Sequence, residues 1–184
     1  MIPVFISRPN PYTYEQAYFL KKIIDVLNKE SLENITLEAA DYNPYESLSC
    51  MNEMIKRCYG MLIIAFGQYY INNGISKKGA VDDISFFDSR ESDLASTWIT
   101  SPFCHIEGAL GFHHQIPILI IEQEHIKIEG ILKNGSHAIK GPQFSLKSNL
   151  FIDQYINSSS LAQAISLWLA EVREKYNFVY NKID

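Results

Sequence analysis

Residues 61–66 read MLIIAF, an uninterrupted apolar run that decides the fold class. A strand that is apolar on both faces suits the centre of a parallel sheet, where helices cover it from both sides. Residues 3–7 (PVFIS) and 117–121 (PILII) are runs of the same kind. The sequence therefore predicts a parallel sheet built around these strands.

Segments with helical periodicity separate the apolar runs. The predicted helices cover about residues 13–28, 45–57, the stretch that begins at Pro102, and 160–176. Thr13 and Ser101 are suitable N-caps, and Pro102 occupies a first helical position, where its missing N–H costs nothing. Weaker strand signals lie at residues 35–40 (ITLEAA) and 150–152 (LFI).

The alternation of strands and helices predicts an α/β fold, a flavodoxin-like doubly wound parallel sheet in a single domain over residues 1–184. A polar interval at about 67–100 interrupts the alternation, and we interpret it as a mobile loop or insertion with room for a short helix. Such sheets bind ligands at the carboxyl ends of their strands. The loops after Ser7, Ala40, Phe66 and Ile121 are therefore expected to share one crevice.

Composition and charge exclude several classes of function. The net charge is -5 and no dense block of Lys or Arg is present, which argues against nucleic acid as a partner. No apolar run reaches the roughly 20 residues that cross a bilayer, and no secretory signal opens the chain, so we expect no membrane association and a cytoplasmic location. Three cysteines without CxxC spacing predict neither a disulfide framework nor a zinc site.

Motif searches narrow the chemistry further. The sequence has no GxGxxG, no GxxxxGK[ST] and no GxSxG motif, so no bound dinucleotide cofactor and no esterase elbow are predicted. A metal set of Glu107 with His113 and His114 can be imagined. Adjacent helical residues point about 100° apart, which favours a solvated histidine pair and no metal.

Glu107 is the residue whose position calls for an explanation. It follows Phe103 by four residues and precedes Leu110 by three, so its carboxylate is expected beside an apolar helix face, with no Lys or Arg one turn away. A carboxylate in such surroundings loses hydration unless a group in a cleft, such as a sugar hydroxyl, binds it. The alternative is that Glu107 reaches solvent or a backbone N–H.

Residues 101–107, SPFCHIE, resemble the S-x-W-C-x-x-E stretch of Toll/interleukin-1 receptor (TIR) domains, with Phe103 in the place of the usual Trp. The opening VFISR is similar to the first TIR strand, and residues 41–48 occupy the place of the loop after the second strand. The order of elements agrees from Pro3 to about Tyr176. The interval at 67–100 is a departure, since the family's third strand usually leads sooner into the motif helix.

The resemblance implies that Glu107 is the catalytic residue of an enzyme that cleaves NAD, its substrate, at the nicotinamide–ribose bond. Phe103 would pack against the nicotinamide end. Three residues at the end of the first strand and in the loop after it are further candidates for substrate binding, with Arg8 suited to a pyrophosphate oxygen. All the candidate substrate-binding residues are Ser7, Arg8, Asn10, Tyr42, Asn43 and Phe103.

Bacterial TIR enzymes of this type make an ADP-ribose-derived signal in antiviral defence, so the resemblance also implies a separate effector protein that senses the product and self-association through TIR surfaces. Two other classes stay open. One is a non-catalytic TIR interaction module, which would not require Glu107. The other is an N-glycosidic transferase similar to the nucleoside deoxyribosyltransferases, in which a glutamate attacks the sugar covalently.

Overall fold

A computed structural model describes residues 1–37, 47–83, 85–87, 89–133, 135 and 137–180. Its strands, in chain order, are β1 Ile2–Ser7, β2 Leu32–Ile35, β3 Met61–Ala65, β4 Tyr69–Ile71, β5 Ile75–Ser76, β6 Ser92–Asp93, β7 Thr97–Ile99, β8 Ile118–Glu122 and β9 Ile139–Lys140. Its helices are α1 Tyr14–Lys29, α2 Ser47–Lys56, α3 Pro102–His113, α4 Asn149–Ile156 and α5 Ser159–Tyr180, with a 3-10 helix at Gly130–Leu132.

The central sheet has five strands in the order β2-β1-β3-β8-β9, and every neighbouring pair is parallel. This is the strand order of flavodoxin-like sheets, with β1 and β3 on either side of the point where the order reverses. Helices cover both faces of the sheet. The predicted fold class, an α/β doubly wound parallel sheet in a single domain, is confirmed.

One face of the sheet packs against α1, α4 and α5. Helix α1 begins at the N-cap Thr13, whose side chain accepts a hydrogen bond from the backbone N–H of Gln16 at 3.1 Å. Its apolar stripe and that of α5 meet side chains of β1, β3 and β8 in a fully apolar core. The buried residues that the two helices contribute include Phe19, Ile23, Leu27, Leu161, Ile165, Trp168 and Val172.

The other face packs against α2 and α3, and it is this packing that brings α3 close to the strands. A Cβ atom on Gly108 would lie 2.9 Å from Ile63 Cδ1, and one on Gly111 would lie 2.8 Å from Met61 Cε. Larger residues at these two positions would collide with β3, so the glycines allow the helix to lie low on the sheet. Its first turns therefore reach the end of β1.

Two strand predictions differ from the structure. Strand β2 covers Leu32–Ile35, so the prediction of 35–40 was placed too late; residues 38–40 lie outside the described part of the chain. The strand predicted at 150–152 is wrong, because these residues belong to α4. Ile152 and Tyr155 are buried there at helical spacing, and three apolar residues in a row do not distinguish a strand from a helix.

The described residues of the interval from 67 to 100 form no helix, so the short helix for which the interval had room is not found among them. Instead β4 pairs with β7 and β5 pairs with β6, both antiparallel, which gives two short ribbons outside the main sheet. Such short strands have too few residues for their period to stand out from a polar loop. Separately, no described helix is both long enough and apolar enough to span a membrane.

Candidate active site

Glu107 lies in the second turn of α3 and is 6 % exposed. Ser101 caps this helix as predicted, since its side chain accepts a hydrogen bond from the N–H of Phe103 at 3.2 Å. The cap and the close packing of α3 set Glu107 against the end of β1, where Ser7 Oγ donates a hydrogen bond to Glu107 Oε2 at 2.5 Å. The carboxyl group is thus held by the protein at one oxygen.

The surroundings of Glu107 change its acidity. Burial raises the pKa of its carboxyl group to about 7, against the opposing effects of the Ser7 hydrogen bond and of the positive charge on Arg8. Desolvation dominates because the charged form of a buried acid loses hydration that one hydroxyl and one cation only partly replace. At neutral pH Glu107 can therefore hold or release a proton, which is the property of a general acid or base.

A cavity of about 370 Å³ opens beside Glu107. It lies at the carboxyl ends of β1, β2 and β3, and its size falls at the lower end of the roughly 300–1,000 Å³ of small-molecule sites. Its described lining residues are Ile6, Arg8, Pro9, Asn10, Tyr12, Thr36, Leu37, Gln68, Ser101, Phe103 and Glu107. The loops after Ser7 and Phe66 share this crevice as predicted, and Thr36 and Leu37 line it after β2. The predicted loop after Ala40 lies outside the described residues, and the described residues after β8 do not line the cavity.

The described lining of the cavity combines one cation, one carboxyl group and an aromatic surface. Arg8 Nη1 donates hydrogen bonds to Asn10 Oδ1 at 3.1 Å and to the Pro9 carbonyl at 3.3 Å, so the loop after β1 orients the guanidinium group. Phe103 lines the cavity and is 44 % exposed, which is a high fraction for so large an apolar side chain. Among the described residues, this cavity can thus offer contacts to a phosphate, to sugar hydroxyls and to a flat ring.

Hydrogen bonds and ring packing hold the cavity wall at the start of the 67–100 interval. The carbonyl oxygen of Gly67 accepts hydrogen bonds from Tyr12 Oη at 2.7 Å and from Gln16 Nε2 at 3.4 Å, while its N–H donates to Gln123 Oε1 at 3.0 Å. The ring of Trp98 lies directly on Gly67, where an added Cβ would approach it to 2.6 Å. Trp98 thus packs as an anchor against this wall.

The structure brings together most of the predicted site residues. Arg8, Asn10, Phe103 and Glu107 line one cavity. Ser7 differs from the prediction of direct substrate contact, because it is fully buried behind Glu107 and is not among the lining residues. Tyr42 and Asn43 lie outside the described residues.

Sequence reasoning missed Tyr12 and Gln68 on the cavity wall and Cys104 beneath it. Gln68 had a usable signal, since it follows a buried parallel strand by three residues. Cys104 lies one turn before Glu107 on the same helix side, but nothing in its sequence neighbourhood distinguishes it from an ordinary core cysteine. Only its contacts in the folded protein distinguish Cys104 from such a residue.

The metal set considered from the sequence does not assemble. Across the described ranges, no group of three or more His, Cys, Asp or Glu side chains could hold a metal ion. His114 Nε2 instead lies 2.8 Å from Asn52 Oδ1, a hydrogen bond between α3 and α2, whereas the Glu107 carboxyl group is hydrogen-bonded to Ser7.

No family model and no curated relative matches the sequence. Among solved structures, the chain is similar to the CMP N-glycosidase BcmB of Clostridium botulinum, with 14% identity, a TM-score of 0.49, and coverage of 90% of this chain and 98% of that one. It is also similar to the diflavin flavoprotein A3 of Nostoc sp., with 13% identity, a TM-score of 0.48, and coverage of 95% and 96%. Both TM-scores are below 0.5, so we take no function from either structure.

Proposed function

We propose that the protein is an enzyme that cleaves the N-glycosidic bond of a ribosyl substrate of the nucleotide class, with Glu107 as the catalytic carboxyl group. The observation that carries the proposal is the buried, hydrogen-bonded Glu107 on the wall of a cavity at the carboxyl ends of parallel strands. Burial destabilises the charged form of a carboxyl group, and carboxyl groups perturbed in this way are concentrated at the active sites of enzymes.

The chemistry of N-glycosidic cleavage fits this arrangement. The bond breaks through an oxocarbenium-like transition state, in which positive charge spreads over the sugar ring oxygen and its anomeric carbon. A carboxylate beside that carbon stabilises the charge, and its effect is larger at a buried position such as that of Glu107 than in open solvent. Arg8 would hold a substrate phosphate and Phe103 the leaving base.

Two kinds of leaving group make opposite demands on Glu107. Nicotinamide leaves NAD as a neutral molecule and takes up no proton, so the reaction needs the ionised carboxylate. The base of an ordinary nucleotide leaves as an anion unless it is protonated, so its departure needs an acid. With a pKa of about 7, Glu107 can meet either demand. The resemblance of SPFCHIE to TIR domains supports NAD as the substrate. Among the described residues, the cavity has no second carboxyl group that could donate a proton while Glu107 stabilises the charge, which also favours a substrate whose leaving group needs no acid.

The test is to incubate the purified protein with NAD, AMP and CMP and to identify products by mass spectrometry. NAD should yield nicotinamide with a rate that rises through about pH 7, because ionised Glu107 is required. If an ordinary nucleotide is the substrate, free base should appear with a rate that falls above this pH. Absence of released base from all three substrates, in the monomer and at concentrations that promote self-association, would refute the proposal.

A non-catalytic interaction module makes a different prediction. It would release no base, and it would keep its biological activity in a Glu107→Gln variant that still folds. A covalent transferase would be recognised by a ribosyl–Glu107 adduct, found by peptide mass spectrometry after rapid acid quench. An ADP-ribose-derived signal, its effector protein and a role in antiviral defence stay predictions of the TIR resemblance.

A further inference from the structure

We propose that Ser7 is a positioning residue for the reaction: its buried hydroxyl fixes Oε2 of Glu107 and leaves Oε1 as the oxygen that meets the substrate. The inference rests on the proposed function in one respect, namely that Glu107 is catalytic. The hydroxyl acts through Glu107 and does not itself contact the substrate. Ser7 thereby has a role different from the substrate contact expected from the sequence.

The backbone around Ser7 is fixed by the sheet. Ser7 is the last residue of β1, its Cα partner in β3 is Ile63, and its exposed fraction is 0 %. The 2.5 Å hydrogen bond joins this strand to α3 across a sequence separation of 100 residues. A short bond from a hydroxyl to a carboxylate oxygen is stronger than one between neutral groups, and it restricts the carboxyl plane. Oε2 is therefore used inside the protein, and Oε1 is available to a cavity ligand.

Cys104 completes the environment of the Ser7 hydroxyl. It lies on α3 three residues before Glu107, is fully buried, and neighbours Ser7. Burial, and secondarily the Glu107 charge, raise the pKa of the Cys104 thiol to about 12, so the sulfur is uncharged at neutral pH. On its other side Thr100 Oγ1 lies 3.9 Å from Cys104 Sγ. A neutral thiol is a weak hydrogen-bonding group, so the strongest acceptor for the Ser7 proton is Glu107.

Among the described residues, the charged and titratable groups that face Glu107 come from two elements. Arg8, in the loop after β1, lowers the pKa of the Glu107 carboxyl group through its positive charge. Cys104, from α3, is uncharged at neutral pH. Ser7 is the only hydrogen-bond donor that the described structure gives to this carboxylate. Removing its hydroxyl should both free the carboxyl plane to rotate and make the charged form harder to reach.

The first test needs no substrate. The pKa of Glu107 is measured in the intact protein by NMR of ¹³C-labelled glutamate side chains, with Glu107→Gln identifying the resonance. Ser7→Ala should raise that pKa by about one to two units, since a hydrogen bond to a charged group is lost. Ser7→Cys, which keeps a weak donor, should give a smaller rise. The control Tyr155→Phe removes a different buried hydroxyl, whose bond to the Pro142 carbonyl is 2.8 Å long, and should leave the pKa of Glu107 unchanged.

The second test uses the substrate found in the nucleotide panel. The part of the pH–rate profile that reports the ionisation of Glu107 should move to higher pH in Ser7→Ala, by the same amount as the pKa measured by NMR. At the plateau, kcat should fall while KM changes less than twofold, because the hydroxyl orients the carboxylate without touching the substrate. Tyr155→Phe should shift neither quantity. If the wild type releases no base, the proposed function fails while the NMR titration still tests the inference; an unchanged or lowered Glu107 pKa in a folded Ser7→Ala variant would overturn it.

Discussion

Glutamine in place of Glu107 should make the protein more stable above neutral pH, and the size of the effect follows from the site. In the folded state the pKa of this carboxyl group is about 7, compared with an ordinary value of 4.5. The folded protein therefore binds the proton more tightly than the unfolded chain does. The favourable contribution of protonated Glu107 is complete below the unfolded pKa and is lost as pH rises through about 7.

The change in pKa sets the magnitude. A difference of about 2.5 units at about 1.4 kcal/mol per unit corresponds to about 3 kcal/mol of unfolding free energy. Glutamine resembles the protonated acid and does not ionise, so Glu107→Gln should gain about 3 kcal/mol relative to wild type between pH 4.5 and pH 8. For a chain of this length, the Tm of Glu107→Gln should therefore rise relative to that of wild type by roughly 6–12 °C over this pH range.

Thermal melting of both proteins across this pH range measures the effect. The control is Glu171→Gln, which alters an exposed carboxylate on α5 and should change the free energy of unfolding by no more than about 1 kcal/mol. A constant difference between Glu107→Gln and wild type from pH 4.5 to pH 8 would refute the reasoning, because it would mean that Glu107 titrates at the same pH in the folded and unfolded chains.

Substitutions at three positions probe the walls of the site. Arg8→Ala removes the positive charge that lowers the pKa of Glu107, so titration by NMR should show that pKa raised further. Phe103→Ala should raise KM roughly fivefold, for a loss of about 1 kcal/mol of ring contact, and Phe103→Trp should restore it in steady-state assays. Gly67→Ala would set a methyl group 2.6 Å from the ring of Trp98, and urea unfolding should show about 1–3 kcal/mol of destabilisation.

The parallel sheet could be predicted because its central strands are apolar on both faces. Met61–Ala65 and Ile118–Glu122 are buried on both faces over almost their whole length. Their sequences are therefore nearly continuous apolar runs without alternating polar residues, which distinguishes them from loops and edge strands. The edge strand Ile139–Lys140 has two residues, and its side chains are only partly buried. A segment this short carries no period, and the sequence gives no sign of it.

The candidate site was predictable to the extent that it depends on helix chemistry. Ser101 and Pro102 mark the start of α3, and helical spacing then sets Glu107 beside an apolar face. The partner of Glu107 was not predictable, because the pairing with Ser7 depends on how closely α3 lies on the sheet. That distance is governed by Gly108 and Gly111, whose effect is visible only once they face the side chains of β3.

The most direct measurement is the initial rate of base release at pH 7 from the substrate found in the panel, for wild type, Glu107→Gln and Glu122→Gln. Glu122 also ends a parallel strand but does not line the cavity, so its variant is the matched control. Glu107→Gln should lose about 100-fold or more in kcat, as expected when a transition-state charge loses its partner, and Glu122→Gln should stay within about threefold of wild type. A folded Glu107→Gln protein that releases base at the wild-type rate would contradict the catalytic role of Glu107.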